Sequence, residues 1–349
     1  MKTEYIYWDP ENGYQADELQ RAAELLRIGG LVAFPTETVY GLGGNGLQRQ
    51  AAMKIYAAKG RPSDNPLILH ISRRSELDAI VDHISAQAEA LMDAFWPGPM
   101  TLIFRKSGAV PRETTGGLDT VAVRMPAHEG ARVLIREAGV PVAAPSANLS
   151  GRPSPTEAGH VREDLDGRID MIIDGGSVGI GLESTIIDLT DEVPVILRPG
   201  YITREMISQV TGRVILDPGL EKGEQEIKPK APGMKYRHYA PKAVMTVYEG
   251  DIIDVVAKIN AKAAEYPEDK VGILATEETR DRYVHGQVLV AGSREDHTIA
   301  HGLYAALRQF DRLGVEVIFS ESFSGEDRSE AIMNRLRKAA GQRIEYLPK

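Results

Sequence analysis

The sequence has no cysteine in 349 residues. That excludes a disulfide framework, a thiolate metal site and a cysteine nucleophile, and it fits a cytoplasmic setting. Aromatic residues are scarce, at 6%. No apolar run approaches the roughly 20 residues of a membrane span, so no membrane association is expected. The opening MKTEYIYWDPENGYQ lacks the apolar centre of a signal peptide. Positive charge is in deficit. The net charge of −9 argues against a broad non-specific nucleic-acid surface. Familiar chemical signatures are missing too: no Walker A lysine loop, no H-E-x-x-H, no G-x-S-x-G and no zinc spacing.

What is present is ordinary globular composition, 42% hydrophobic and 26% charged, at a length that suits two domains. The apolar pattern predicts helices over Asp17–Ile28, Gln50–Ala58, Glu129–Ala138, Glu157–Glu163 and Thr203–Gln209, and one or two within Glu76–Phe95. Strands are expected at Leu31–Phe34, Pro66–Ile71, Thr101–Arg105, Thr120–Met125, Val140–Ala144, Met171–Asp174, Ser184–Leu189 and Val193–Arg198. This is a sheet-centred α/β or α+β domain over residues 1–216. Residues 217–242 carry four prolines and three glycines in DPGLEKGEQEIKPKAPGMKYRHYAP and read as a linker. Its Lys235-Tyr236-Arg237-His238-Tyr239 run is aromatic and basic, unlike a passive linker. After it, four strand patterns alternate with three helix patterns over residues 243–349. That predicts a smaller, Rossmann-like doubly wound α/β domain.

Several segments could carry chemistry. Gly41-Leu42-Gly43-Gly44-Asn45-Gly46 matches G-x-G-x-x-G, but six residues, Pro35 to Tyr40, separate it from the preceding strand. A nicotinamide site is therefore set aside in favour of a turn with positive-φ glycines. Lys59 and Arg61, at the end of a helix pattern held by Gly60 and Pro62, either complement the helix dipole or converge on a polyphosphate. Ser146 and Asn148, after the small residues Ala143 and Ala144, form either a local turn or a hydrogen-bonding ligand wall. Strands that end near Thr38, His70, Arg124, Ser146 and Arg198 suggest one rim facing one ligand.

FPTETVYGLG, KGRPSDNPLILHI, WPGPMT, LDTVAVRMPAH, PVAAPSANLSGRPSPT, ESTIIDL and ILRPG stand here in the order found in the YrdC/Sua5 family. The whole chain resembles the longer, two-domain Sua5 form of these threonylcarbamoyl-AMP synthases. The resemblance implies a twisted-sheet YrdC-like catalytic domain. It implies a reaction in which L-threonine, bicarbonate (or CO2) and ATP yield L-threonylcarbamoyladenylate and pyrophosphate. A separate threonylcarbamoyl transferase complex would then modify adenosine 37 of tRNAs reading ANN codons, with any tRNA contact here indirect. Carried over position by position, Lys59, Arg61, Asn65, Thr120, Ser146, Asn148, Arg198 and Tyr236 meet ATP or the adenylate, with Lys59 and Arg61 in the catalytic role. Thr38, His70, Arg124, Ala144 and Ser184 meet threonine. ATP enters as substrate with Mg2+, no organic cofactor is implied, and no carboxylate pair stands out as a metal ligand. The linker, with Tyr236 to Tyr239, is expected to close over the cavity as a lid. A different class of reading, an RNA-binding module presenting tRNA, is disfavoured by the net charge and the lack of an RNA-binding aromatic motif.

Overall fold

A computed structural model describes residues 2–9, 15–222, 231, 238–294, 298–323 and 328–348. The chain divides into two compact units. Unit 1 comprises Met1–Ser150, Pro155–Gly179 and Glu183–Tyr236. Unit 2 comprises Gly151–Ser154, Ile180–Leu182 and Arg237–Lys349.

Unit 1 is built on strands β1 (Glu4–Tyr7), β2 (Val32–Phe34), β3 (Gly41–Asn45), β4 (Ile68–His70), β5 (Met100–Arg105), β6 (Thr120–Arg124), β7 (Val142–Ala143), β8 (Met171–Asp174), β9 (Thr185–Asp188), β10 (Val195–Arg198) and β11 (Ile215–Leu216). They form one mixed sheet in the order β1-β8-β2-β3-β7-β4-β6-β5-β9-β10-β11. Strands β4 and β6 run parallel, while β7 runs against β4 and β5 against β6. The helices arise where the apolar period predicts them. Helix Glu129–Ala138 starts at His128, whose Nδ1 accepts from the Ala131 amide, and stops at Gly139 with φ 67°. Its Ala131, Leu134, Ile135 and Ala138 are buried with Ile6, Leu26 and Phe34. Each large apolar side chain so buried contributes about 1.5–3 kcal/mol.

The glycine segment departs from expectation. Gly41–Asn45 is not a turn but β3, an interior strand with every residue buried, and none of its glycines has positive φ. A Cβ on Gly43 would stand 2.7 Å from Phe34 and 2.9 Å from Val142. The glycines are there because neighbouring side chains lie against the backbone.

Unit 2 holds β12 (Val244–Glu249), β13 (Val271–Thr276), β14 (Gln287–Gly292), β15 (Val317–Glu321) and β16 (Ile344–Tyr346). Its sheet is parallel throughout, in the order β14-β13-β15-β12-β16. Helices Ile252–Ala263, Ile299–Leu313 and Ser329–Ala339 supply the crossovers, as a parallel sheet requires. Among the described residues no helix is long and apolar enough to cross a membrane.

Candidate active site

His70, Arg124 and Thr120 share one face of the unit 1 sheet by register, whereas Lys59, Arg61 and Asn65 come from the end of a helix that packs on the other face and from the loop after it. In a strand, residues two apart share a face. Ile68 and His70 therefore project with Ala122 and Arg124, their partners across β4 and β6. Thr101 pairs with Arg124 and joins them. The expected single rim is not what forms. Because β7 is antiparallel to β4, the chain leaves β7 toward Ser146 in the direction opposite to that in which it leaves β4 after His70. Ser146 bridges to Gly41. Arg124 ends β6 and Thr120 begins it, a separation of roughly 13 Å along an extended strand. The site thus spans the face from end to end.

One end gathers Thr38, His70, Arg124 and Ser184. Thr36 Oγ1 donates to the Val39 carbonyl at 2.6 Å and lies 2.9 Å from Thr38 Oγ1, which fixes the polar loop after β2. Arg124 Nη1 donates to Thr38 Oγ1 at 2.8 Å and Nε donates to the Gly98 carbonyl at 3.2 Å. Its Nη2 stands 2.6 Å from Glu37 Oε1 in a buried ion pair. Burial works to raise the Glu37 carboxyl, but the Arg124 charge and the Ala127 amide outweigh it and hold the group below the usual range. Next to this pair, His70 Nδ1 lies 3.2 Å from the Ile68 carbonyl. Burial, and then the Arg124 charge, push its imidazole down to about 3, so it is neutral at physiological pH. Ser184 Oγ is 2.7 Å from Thr101 Oγ1. Arg198, which the resemblance assigns to the nucleotide, sits at this end too, donating to the Ser184 carbonyl and hydroxyl, each at 3.1 Å.

The other end gathers Lys59, Arg61, Asn65, Ser146 and Asn148. Helix Arg49–Lys59 stops at Gly60 with φ 61°, which leaves Lys59 on the final turn. Its Nζ donates to the carbonyls of Ser146 and Asn148. Ser146 Oγ donates to Asn148 Oδ1, so lysine, serine and asparagine act as one assembly. Arg61 donates to the carbonyls of Asn65 and Pro66 at 3.2 and 3.0 Å. Asn65 is buried, and its Oδ1 has no hydrogen-bond partner. Lys59, Arg61, Arg124 and Arg198 are all under 10% exposed. Four cations buried together, of which Arg124 is met by Glu37, mark the place as a candidate site for an anionic ligand.

Between the two ends the floor is apolar, made of Ile68, Ile103, Ala122, Ile186 and Leu197. The linker residue Ala231 packs on it and is fully buried. Ala144, expected at the threonine, is buried beside Val142 and donates its amide to the Ile68 carbonyl at 2.9 Å. Tyr236 lies outside the described residues, as do 223–230 and 232–237 of the linker. Tyr239, expected in the lid, instead stacks on Tyr304 with ring centroids 5.3 Å apart and belongs to unit 2. Sequence reasoning passed over Glu37 and Thr101. The Thr-Glu-Thr run flagged the first, but an apolar strand gave no sign of the second.

No three acids or histidines among the described residues are grouped to hold a metal. Among the described residues the donor set does not fit a protein-held cation.

Comparison with known proteins places these features in company. Residues 24–200 match the Sua5–YciO–YrdC family model, described as telomere recombination. Residues 202–341 match the threonylcarbamoyl-AMP synthase C-terminal domain. The chain is 49% identical to the threonylcarbamoyl-AMP synthase of Bacillus subtilis, over 99% of each sequence. It is 50% identical to that of Pyrococcus abyssi, over 94% of this chain and 95% of the relative. The crystal structure of P. abyssi Sua5 complexed with L-threonine superposes with a TM-score of 0.92 at 47% identity, covering 100% of both chains.

Proposed function

The chain belongs to the Sua5–YciO–YrdC family and carries the Sua5-type C-terminal domain, and we propose that the face just described is where its reaction takes place. The chain is a nucleotidyltransferase that makes L-threonylcarbamoyladenylate and pyrophosphate from L-threonine, bicarbonate or CO2, and ATP. This is the first step of N6-threonylcarbamoyladenosine formation in tRNA. The observation that carries the assignment is a set of four buried cations in two groups, Arg124 and Arg198 at strand ends and Lys59 and Arg61 at the end of helix Arg49–Lys59.

Threonine occupies the Arg124 end. The guanidinium takes the carboxylate, with Thr38 and Glu37 fixing its plane. Neutral His70 and Ser184 offer hydrogen bonds without adding charge. The amine attacks CO2 to form a carbamate, a carbamate oxygen attacks the α-phosphorus, and pyrophosphate leaves. Such a displacement needs positioning and charge neutralisation more than a protein nucleophile. ATP occupies the Lys59 end, where Asn65, Thr120, Ser146 and Asn148 orient it and Lys59 and Arg61 stabilise charge on the leaving pyrophosphate. Arg198, bonded to Ser184, stands where nucleotide and amino acid would meet. Mg2+ would travel with the ATP phosphates.

A carbamoyl adenylate is readily hydrolysed, so water must be kept out. Ala231, seated on the apolar floor, supports a reading of the linker as the lid. The product passes to a separate transferase, in the cytoplasm. Pyrophosphate release tests the assignment. It should require threonine and bicarbonate, and Lys59→Ala or Arg61→Ala should remove most of it. Undiminished release in both variants would overturn the role given to that pair.

A further inference from the structure

Unit 2 holds a cavity of 790 Å³ that the proposed reaction does not use. Its walls come from the carboxyl ends of four parallel strands. Glu249 ends β12, and Asp251, Ile252 and Val255 follow it. Thr279 and Arg282 follow β13, Arg294 follows β14, and Ser322 follows β15.

The position has a topological cause. Helix Ile252–Ala263, which leaves β12, packs on Tyr248, Ile273 and Phe319. Helix Ile299–Leu313 lies on the opposite face, because a Cβ on Gly272 would meet its Phe310 at 2.5 Å, and Gly272 and Ile273 face opposite ways. Helix Ser329–Ala339, which leaves β15, shares that second face. Its Arg335 covers the ring of Tyr239, which stacks on Tyr304 of Ile299–Leu313. Strands β12 and β15 are neighbours, so the chain departs from adjacent strands to opposite faces. A crevice opens at such a point, and open parallel sheets bind ligands there.

The lining says which ligand. Glu321, the last residue of β15, is fully buried. One oxygen accepts from Thr279 and, at 2.8 Å, from the Tyr283 hydroxyl; the other meets Arg294 at 3.1 Å. Arg294 also donates to the Ser322 carbonyl at 2.8 Å, so the guanidinium is held at the wall. Both guanidiniums stand at one side of the sheet. Glu249 and Asp251 lie on the β12 side, and Arg282 and Arg294 stand across β15 on the β13–β14 side, together with Glu278. Carboxylates accept from vicinal hydroxyls, guanidiniums grip phosphate, and Ile252 with Val255 offers an apolar wall. The volume lies in the range of sites for small organic ligands. Acids outnumber the two guanidiniums once Glu278 and Glu321 are included, so the crevice does not suit a polyphosphate.

We propose that this crevice binds a ribonucleoside monophosphate, with ribose hydroxyls on Glu249 and Asp251 and the phosphate on Arg282 and Arg294. The test is equilibrium dialysis of AMP on the full-length chain, beside Arg282→Glu and Glu249→Gln. Arg282 is exposed, so its replacement leaves the fold intact. One AMP site per chain should disappear in Arg282→Glu. The same site should weaken about tenfold in Glu249→Gln, a loss of one charge-assisted hydrogen bond. Threonine-dependent pyrophosphate release should be unchanged in both. Inorganic phosphate should compete with AMP far less well than AMP itself. An identical site count in wild type and Arg282→Glu, or phosphate competing as well as AMP, overturns the proposal. Either result leaves the reading of unit 1 untouched, because the count compares variants that differ only in unit 2.

Discussion

The guanidinium of Arg124 donates to the hydroxyl of Thr38 at 2.8 Å, joining groups 86 residues apart in the chain. The same guanidinium meets Glu37 at 2.6 Å. The loop after β2 and the end of β6 are therefore held in one geometry before any ligand arrives, which is what a carboxylate clamp needs.

Replacing Arg124 separates its ion pair with Glu37 from the carboxylate clamp proposed for it. Arg124→Ala strands a buried Glu37 carboxylate and should lower stability by about 3–5 kcal/mol. Arg124→Lys keeps a charge but loses the planar fork. It should remain folded, raise the threonine KM at least tenfold and leave the ATP KM within about threefold. Steady-state pyrophosphate release with each substrate varied checks this. Equal increases in both KM values would count against a clamp specific to threonine.

His70 makes acid stability depend on pH in a definite direction. Its imidazole is neutral in the fold down to about 3, whereas in the unfolded chain it takes a proton near 6.5. Between those values the unfolded state binds more protons, so stability is fully present above pH 6.5 and is lost as pH falls toward 3. The limiting slope is about 1.4 kcal/mol per pH unit. Glu37, whose carboxyl is depressed, adds a loss in the same direction, but only below the ordinary carboxylate range. Urea denaturation of His70→Gln should give a flatter stability profile between pH 6.5 and 5 than wild type. Parallel profiles would mean that the ring is solvated or already charged.

Gly46 closes the interior strand against its neighbours. A Cβ there would stand 2.2 Å from Leu69 and 2.8 Å from the Pro141 carbonyl. Overpacking of this kind costs about 1–3 kcal/mol. Gly46→Ala should shift the denaturant midpoint downward, while Gly60→Ala pays a penalty of a different kind, since φ is 61° and nothing lies within 4 Å. A midpoint unchanged in Gly46→Ala would show that Leu69 can move aside.

Much of this was legible in the residues. Strands β2, β4, β6 and β8 came out because apolar runs of strand length end at polar or proline-rich punctuation. The helices came out because their apolar period is clear, and those that start after Ser85, His128 and Thr203 are also capped by these side chains. Strand β3 was missed because its glycines carry no side chains to alternate, and only a three-dimensional neighbour explains a glycine that keeps ordinary φ. The one-rim expectation failed for a related reason. Strand direction in a mixed sheet is decided by pairing, and nothing in the residues of Val142–Ala143 says that it runs against Ile68–His70. Thr101 was hidden because a buried hydroxyl on an apolar strand looks the same whether or not Ser184 is waiting for it.

Ala231 offers the sharpest test of the linker. It is fully buried against Ile68, Ile103, Ala122, Ile186 and Leu197, yet it belongs to no strand or helix. Ala231→Glu would force a carboxylate onto an apolar floor, at a cost of several kcal/mol if the linker stayed in place. On the lid reading proposed above, the cheaper response is for Ala231 to leave the floor. The variant should therefore unfold within a few degrees of wild type, unlike Ile186→Glu, where the same charge is fixed in a strand and the sheet must bear it. On that reading, water then reaches the adenylate. Pyrophosphate should still be released, while the yield of intact threonylcarbamoyladenylate per pyrophosphate, read by chromatography of quenched reactions, should fall severalfold. An unchanged yield from a folded Ala231→Glu protein would remove the lid from the account and leave Ala231 as packing alone.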